Sequence, residues 1–330
     1  MPTAQSFEQV QPSRTSVEPS SNARPLFQPT GLVLWCGDQR VRVGDADKVV
    51  LLDDVSSAAM KWLHDLDGTR TWATVLAQGI EPDALRLFRY AWQLGCIDDA
   101  AIRPGSWWRT PGVARDGEAQ RRALLHHLGS AASAHDHLEH RRAQRIAVVG
   151  AGTLASQAIA VARRSQLQVG WLRAADEQLP DDTAFCVIAD GGHPDLTGSP
   201  DHLAFQVPHL VVRAFGMRAM VGPVVIPGQT SCLTCTHLHS LDTQPGWAQV
   251  AVQLAAMTQA QNTHCLDPLL ARMASSHAIL LARTVIDAPD TAATILGNRA
   301  FLWSASHAQP QEVGRPGHPL CGCRWSDLSE

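Results

Sequence analysis

Lysine is almost missing from this chain of 330 residues. Lys48 and Lys61 are the only two, and every other basic residue is arginine. GC-rich codon usage accounts for much of this and for the abundant alanine, but the chemical consequence stands. Nothing beyond residue 61 offers an ammonium group as a point cation or a nucleophile. Long apolar runs are also lacking: none is read as reaching the roughly 20 residues that cross a bilayer. The opening Met1-Pro2-Thr3-Ala4-Gln5 has neither the basic start nor the apolar core of a secretory signal. Positive charge is not in excess either, since the net charge is −4, and no electrostatic footprint for nucleic acid results. The expectation is a soluble, cytoplasmic protein with neither a membrane nor a nucleic acid as partner.

What is present begins with a hydrophobic content of 45%, enough for a full core and two domains. Eight cysteines in a chain of this kind favour reduced thiols and a metal over disulfides. Four of them form two tight pairs, Cys232-x-x-Cys235 and Cys321-x-Cys323. Each pair has a turn-rich setting, Pro227-Gly228-Gln229-Thr230-Ser231 before the first and His318-Pro319-Leu320 before the second. Four thiolates suit tetrahedral Zn2+ and leave no open coordination position, so the expected metal is structural. Cys36, Cys96 and Cys186 are scattered like ordinary buried thiols. Cys265, beside His264, reads either as a thioester-forming nucleophile or as a plain loop cysteine. The plain reading is favoured, because adjacency in sequence does not bring two side chains together. His237, His239 and His318 flank the pairs as outer partners or alternative ligands and are left unassigned.

Along the chain, residues 1–24 are polar and read as a disordered arm. Residues 25–100 carry three strand-like runs, at 31–36, 40–43 and 48–52, and then three short helices. Ser56 or Ser57 caps the first helix, Thr71 the second, and Pro82 opens the third. That pattern is winged-helix-like. Residues 101–143 form a linker to about residue 115 and one helix from Gly117 to about Arg142. Its five histidines, His126, His127, His135, His137 and His140, read as a solvated face rather than a metal cluster. Residues 144–330 open with the strand Arg145–Val149 and the turn Gly150-Ala151-Gly152-Thr153-Leu154-Ala155. Further strands are expected at 167–172, 185–189 and 209–213, giving a Rossmann-like α/β domain with a mostly parallel sheet.

Gly150, Gly152 and Ala155 occupy the fingerprint positions of a nucleotide-binding turn, but the context is poor. The second strand ends in Trp171-Leu172-Arg173 where a ribose-binding acid belongs, and Asp176 comes late. Arg163, Arg164 and Arg173 replace a lysine poorly, because a guanidinium fork is not a point ammonium. The turn is expected to be degenerate, with ATP not binding this chain.

The stretch Pro208–Pro223, then Pro227-Gly228-Gln229-Thr230-Ser231-Cys232-Leu233-Thr234-Cys235 with the closing cysteine pair, resembles the ThiF/MoeB-like, ubiquitin-activating-enzyme-like fold. His239, Asp242, Pro245, Trp247, Gln253-Leu254 and His318-Pro319-Leu320-Cys321-Gly322-Cys323 narrow the resemblance. They look like the partner component of cyclodehydratases in thiazole/oxazole-modified peptide (TOMM) biosynthesis, of actinobacterial type. Leu66-Asp67-Gly68-Thr69-Arg70-Thr71 and its surroundings resemble a PqqD-like leader-recognition element. The resemblance takes in about residues 25–330.

It implies a division of labour. A separate ATP-dependent YcaO-type enzyme, of which this sequence carries no recognisable segment, does the chemistry in trans. This chain, without catalytic residues of its own, binds the leader of a ribosomally made precursor peptide and presents it for azoline formation. A second copy of the chain is a further partner that such folds often take. The leader is expected to add to the edge of the strand Lys48, Val49, Val50, Leu51, Leu52, with Leu85, Phe88, Arg89 and Trp92 of the third helix lining a groove. The spacing of Phe88 and Trp92 favours domain core over groove wall. Two other readings stay open: an adenylyltransferase that activates a C-terminal carboxylate, and a non-catalytic adaptor unconnected with peptide natural products.

Overall fold

The structure, a computed structural model, describes residues 18–28, 33–44, 48–102, 113–173, 179–189, 207–253 and 266–323. The chain divides into two compact units, Met1–Glu139 and His140–Glu330.

In the first unit β1 (Pro25–Phe27) precedes β2 (Val33–Gly37), β3 (Arg40–Gly44) and β4 (Val49–Leu52). Three helices follow, α1 (Ser57–His64), α2 (Trp72–Ala77) and α3 (Pro82–Gln93), then β5 (Ile97–Asp99). The helix starts obey local chemistry. Ser56 Oγ accepts the Ala59 N–H at 3.0 Å, Thr71 Oγ1 accepts that of Thr74 at 3.3 Å, and Pro82 takes the first helical position, where its missing N–H costs nothing. Strands β2, β3 and β4 form an antiparallel sheet in that order. Their buried face, Val41, Val43 and Leu52, packs on a core centred on Phe88. The Phe88 ring stacks on Trp72 with centroids 4.2 Å apart, and the Trp62 and Trp92 rings lie 6.0 and 5.9 Å away.

Three features depart from the sequence reading. First, β1 pairs antiparallel with β5, Phe27 opposite Ile97 and Pro25 opposite Asp99. Strands of three residues carry no periodicity to read. Second, residues 18–24 are not a free arm, because the Trp72 and Ala73 N–H groups donate to the Ala23 and Ser21 carbonyls at 2.7 and 3.0 Å. The rest of the expected arm, 1–17, lies outside the described residues. Third, the single long helix is two, α4 (Val113–Leu128) and α5 (Ala131–Ala143), which runs across the boundary between the units. Gly129 makes the break at φ +70°, where an added Cβ would sit 2.3 Å from the Gln93 carbonyl oxygen. Most of the expected linker, 103–112, lies outside the described residues.

A buried ion pair fastens α4. The Arg121 guanidinium grips both carboxylate oxygens of Asp98, which also accepts from Gln28 Nε2 at 3.1 Å. The bond to Asp98 raises the Arg121 pKa against the desolvation that opposes it. Arg121→Ala would leave a buried carboxylate unpaired, so a loss of about 3–5 kcal/mol is expected in urea unfolding of the chain. A midpoint unchanged from the parent would contradict this.

The second unit contains β6 (Arg145–Val149), α6 (Gly152–Arg164), β7 (Gln168–Leu172), β8 (Thr183–Ala189), β9 (His209–Phe215) and β10 (Arg218–Val225). Then come α7 (Leu233–Thr243), α8 (Pro268–Asp287), α9 (Pro289–Leu296), β11 (Arg299–Ser304) and β12 (His307–Gly314). One seven-stranded sheet has the order β12-β11-β10-β9-β8-β6-β7. Only β9, β8, β6 and β7 run parallel; β9-β10, β10-β11 and β11-β12 are antiparallel. The sheet is mixed rather than mostly parallel. The physical cause is the two-residue connection Gly216-Met217, which can join a hairpin but cannot provide the crossover that a parallel pair needs.

Alternation along the strands gives the sheet two apolar faces. Ile146, Val148, Phe185 and Val187 pack against α6, α8 and α9, while Ala147, Val149, Cys186 and Val211 face Cys232, Leu233 and Cys235. By length and composition α8 could cross a bilayer, a match the sequence reading did not single out. Its Ala271, Ala274, Ala278, Ile279 and Ala282 are all but wholly buried in the first of these faces, which makes it the unit's core helix.

Burial shifts two histidines in this unit towards the neutral form. Burial lowers the pKa of His209, against a bond to the Val207 carbonyl at 2.9 Å, and burial lowers that of His277, whose Nδ1 accepts the Trp303 indole N–H at 3.0 Å. An unfolded histidine titrates near about 6.5, so below that pH the unfolded chain binds more protons than the folded one. Their stabilisation is complete above about pH 6.5 and is lost as the pH falls towards the depressed folded values. Urea midpoints should therefore drop between about pH 7 and 5.5, with a flatter slope in His209→Gln; parallel slopes in the two proteins would contradict the assignment.

Candidate metal centre and candidate peptide groove

The turn after β10 delivers the first cysteine pair. Gly228, at φ +75°, reverses the chain, and the Gln229 and Thr230 N–H groups donate to the Ile226 carbonyl at 3.0 and 3.1 Å. Thr230 Oγ1 donates to the Val224 carbonyl at 3.1 Å and accepts the Ile226 N–H at 2.8 Å, which pins the turn to the strand that precedes it. Cys232 then stands at the N-cap of α7 and Cys235 in its first turn. The second pair returns after β12. Asn298 bridges the two segments: its side chain accepts the Ser231 N–H at 2.9 Å, its carbonyl accepts the Arg315 N–H at 2.6 Å, and Ser231 Oγ donates to the Arg315 carbonyl. Sequence reasoning missed Asn298. The usable signal was the dipeptide Gly297-Asn298, since asparagine tolerates the left-handed φ of 60° found there.

The four sulfur atoms meet. Sγ of Cys232 lies 3.8 Å from that of Cys235 and 3.4 Å from that of Cys321, and Cys235 lies 3.4 Å from Cys323; all four fall within 4.8 Å of one another. Disulfide sulfurs sit at about 2.05 Å, and these cysteines are free thiols. Zinc–sulfur bonds of about 2.3 Å at tetrahedral angles put sulfurs about 3.8 Å apart. The residues therefore fit a metal ion. Their proton affinities differ. Burial works against a Cys235 thiolate, but backbone donors from His318 and Cys232 and the neighbouring thiols outweigh it and lower its pKa. Burial raises Cys321 to about 11 and raises Cys323 likewise. A divalent ion would take all four sulfurs deprotonated.

Among the described residues the only other group with metal-ligand geometry is His239, Asp242 and His318. The five histidines of α4 and α5 do not converge. Cys36 is exposed, Cys96 and Cys186 are buried, and Cys265 lies outside the described residues. Burial pushes the Cys186 thiol up to about 12, which leaves it inert.

At the glycine turn, Gly150 and Gly152 adopt φ of 131° and 84°, and a side chain at 150 would meet the Ala189 carbonyl oxygen at 2.2 Å. Ala155 is wholly buried in α6. The indole of Trp171 donates to the Gly150 carbonyl at 2.9 Å, and the Arg173 guanidinium lies 4.9 Å from the centre of that ring. Arg163 and Arg164 sit in the last turn of α6, about 17 Å along the helix from Gly152, too far to serve the turn. Asp176 lies outside the described residues.

In the first unit, β4 is an edge strand whose partner among the described residues is β3. Lys48 and Leu51 are exposed, Val49 and Val50 half-buried, and Leu52 buried. The Lys48 ammonium group donates to the His127 carbonyl at 2.9 Å. On α3, Leu85 and Trp92 are half-buried and Arg89 is exposed, bonded to Glu18 at 2.7 Å. Phe88 is 0% exposed, so it belongs to the core and supports a groove without lining it. Leu52 does the same.

No family model and no curated protein matches the sequence. Solved structures do match in fold. A heterocyclase in complex with substrate and cofactor superposes with a TM-score of 0.60 at 16% identity, over 91% of this chain and 39% of that one. The heterocyclase TruD gives 0.59 at 15% identity, over 91% and 42%. Escherichia coli MccB with MccA-N7isoASN gives 0.59 at 10% identity, over 91% and 99%. The chain thus spans about two fifths of the length of the heterocyclases and nearly all of MccB. A likeness over 91% of the chain is more than either unit supplies alone.

If the four cysteines hold an ion, the full chain purified without chelator should contain one metal ion per chain by elemental analysis. Cys321→Ser combined with Cys323→Ser should lose nearly all of it. Metal-free parent protein would contradict the assignment.

Proposed function

We propose that this chain is a peptide-recognition partner in the biosynthesis of ribosomally made, heterocyclised peptides. It binds the leader of a precursor and presents it to a separate ATP-dependent YcaO-type cyclodehydratase. The observation that carries the reading is the edge of β4, which pairs only with β3 among the described residues, in a chain that shares its fold with heterocyclases. A leader added as a further strand would meet two outward-facing residues of β4, which supply about four backbone hydrogen bonds of about 0.5–1.5 kcal/mol each. Because side chains alternate, Val50 faces the same side as Val43 and Leu52, the side on which α3 packs against β3. Apolar leader residues on that side would lie against Val50, Leu85 and Trp92, with Arg89 at the rim to receive an acidic residue. Leu51, 48% exposed, faces the other way.

In this reading the four cysteines hold structural zinc and take no part in the chemistry. The glycine turn is a relic in this reading, with the Trp171 indole bonded to the Gly150 carbonyl and the nearby Arg173 guanidinium over that indole. Capture from the native host with the full chain as bait, followed by mass spectrometry, identifies the bound peptide and enzyme. With that peptide labelled, Val50→Asp is expected to weaken binding tenfold or more in an anisotropy titration, about 1.4 kcal/mol. Leu51→Asp should change it far less. Equal effects, or none from Val50→Asp in a protein with parental circular dichroism, would sink the groove. Pyrophosphate exchange by the purified chain would favour the adenylyltransferase instead.

A further inference from the structure

Three side chains beside the cysteines have so far been given no part. His239 and Asp242, three residues apart on α7, share a face, and the segment that carries Cys321 and Cys323 crosses it. His239 Nε2 bonds the Pro316 carbonyl at 3.2 Å, and His318 Nε2 bonds Asp242 Oδ2 at 2.7 Å. The two imidazoles meet edge to face with centroids 4.7 Å apart. His318 is the pivot. Its side chain is 1% exposed, its Nδ1 accepts the Leu320 N–H at 3.1 Å, and its carbonyl accepts the Cys321 N–H at 2.9 Å.

Three ligand atoms within 4.8 Å invite a second metal ion. The hydrogen bonds argue against it. A nitrogen that faces a carbonyl must donate, so His239 Nε2 carries a proton. His318 Nδ1 accepts, so the proton of that neutral ring sits on Nε2 and points at Asp242. Neither Nε2 has a lone pair for a cation.

We infer that Asp242 and His318 form a clamp that positions the Cys321–Cys323 segment over the Cys232–Cys235 pair, as positioning residues of the metal centre and not as ligands. The inference rests on the reading of the four thiols as a metal site. Two of those thiols come from 89 and 88 residues further along the chain, so bringing them in has an entropic cost. A clamp between α7 and the incoming segment settles part of that cost before the ion arrives. Clamp and ion hold the same segment, and by linkage each must raise the occupancy of the other. His318 also fixes the local turn through Leu320 and Cys321, so its position sets where the two sulfurs point. Loss of such outer partners typically lowers metal affinity about 10–100-fold.

The test uses full-length protein: the parent, Asp242→Ala and Asp242→Asn, each loaded with zinc and titrated with a colorimetric chelator. Asp242→Ala should release zinc about 10–100-fold more readily, and Asp242→Asn, which keeps an acceptor oxygen, should recover part of the loss. Asp242→Ala should lower the melting temperature of the metal-free form far less than that of the zinc-loaded form, because only the loaded form carries the linkage between clamp and ion. Unchanged zinc affinity in Asp242→Ala would overturn the clamp. So would a metal-free variant that melts as far below its parent as the zinc-loaded one does, which is a merely structural effect. A second zinc equivalent in the parent that Asp242→Ala loses would make the cluster a metal site and overturn it too. A parent that binds no zinc at all fails the metal reading itself, whereas a parent that binds zinc with a silent variant fails the clamp alone.

Discussion

Four sulfur atoms 3.4 to 3.8 Å from their neighbours cannot all be thiolates unless a cation sits among them. That constraint organises the second unit. To bring the sulfurs together, the chain must leave β10 through a turn locked by Thr230, start α7 at Cys232, and come back from β12 past Asn298 to lay its last described residues over α7. The apolar face of the sheet built from Ala147, Val149, Cys186 and Val211 is closed by this arrangement, with Leu233 and the cysteines as its cover. The opposite face needs no metal, because α8 supplies a stripe of alanines and leucines that fits it directly.

The two units divide the available chemistry in an uneven way. The second presents a strand, a glycine turn and a helix in succession, β6, Gly150–Gly152 and α6, with three arginines around them. Two arginines lie at the far end of α6, and the third lies over Trp171, which itself bonds to the turn. Among its described residues the first unit brings no three His, Cys, Asp or Glu side chains into one cluster. What it offers is geometry: a short antiparallel sheet with an open edge next to an aromatic core. The role proposed for the chain, to hold a peptide and present it, draws on that distribution.

Much of this was legible in the sequence where the signal was local. Ser56, Thr71 and Pro82 mark helix starts because capping depends on one or two residues. Cys232-x-x-Cys235 and Cys321-x-Cys323 mark a four-sulfur cluster that fits a metal ion, because the spacing itself carries the geometry. What failed was non-local. The pairing of β1 with β5 joins residues 70 to 74 positions apart, each strand too short for a pattern. The direction of β10 depended on whether Gly216-Met217 was a hairpin turn or part of a crossover. The break at Gly129 was hidden because alanine on both sides favours helix strongly enough to read through one glycine. Asn298 and the His318–Asp242 contact were invisible for a plainer reason: their partners come from segments that only the folded sheet brings together.

The central claim is that recognition happens at β4 and not at the glycine turn. Hydrogen exchange with mass spectrometric detection, on the full chain with and without the captured peptide, tests it most directly. The account predicts new protection of the amides in Val49–Leu52, accompanied by slower exchange across Leu85–Trp92, with Gly150–Ala155 unchanged. Protection confined to Gly150–Ala155, or to the second unit as a whole, would contradict it.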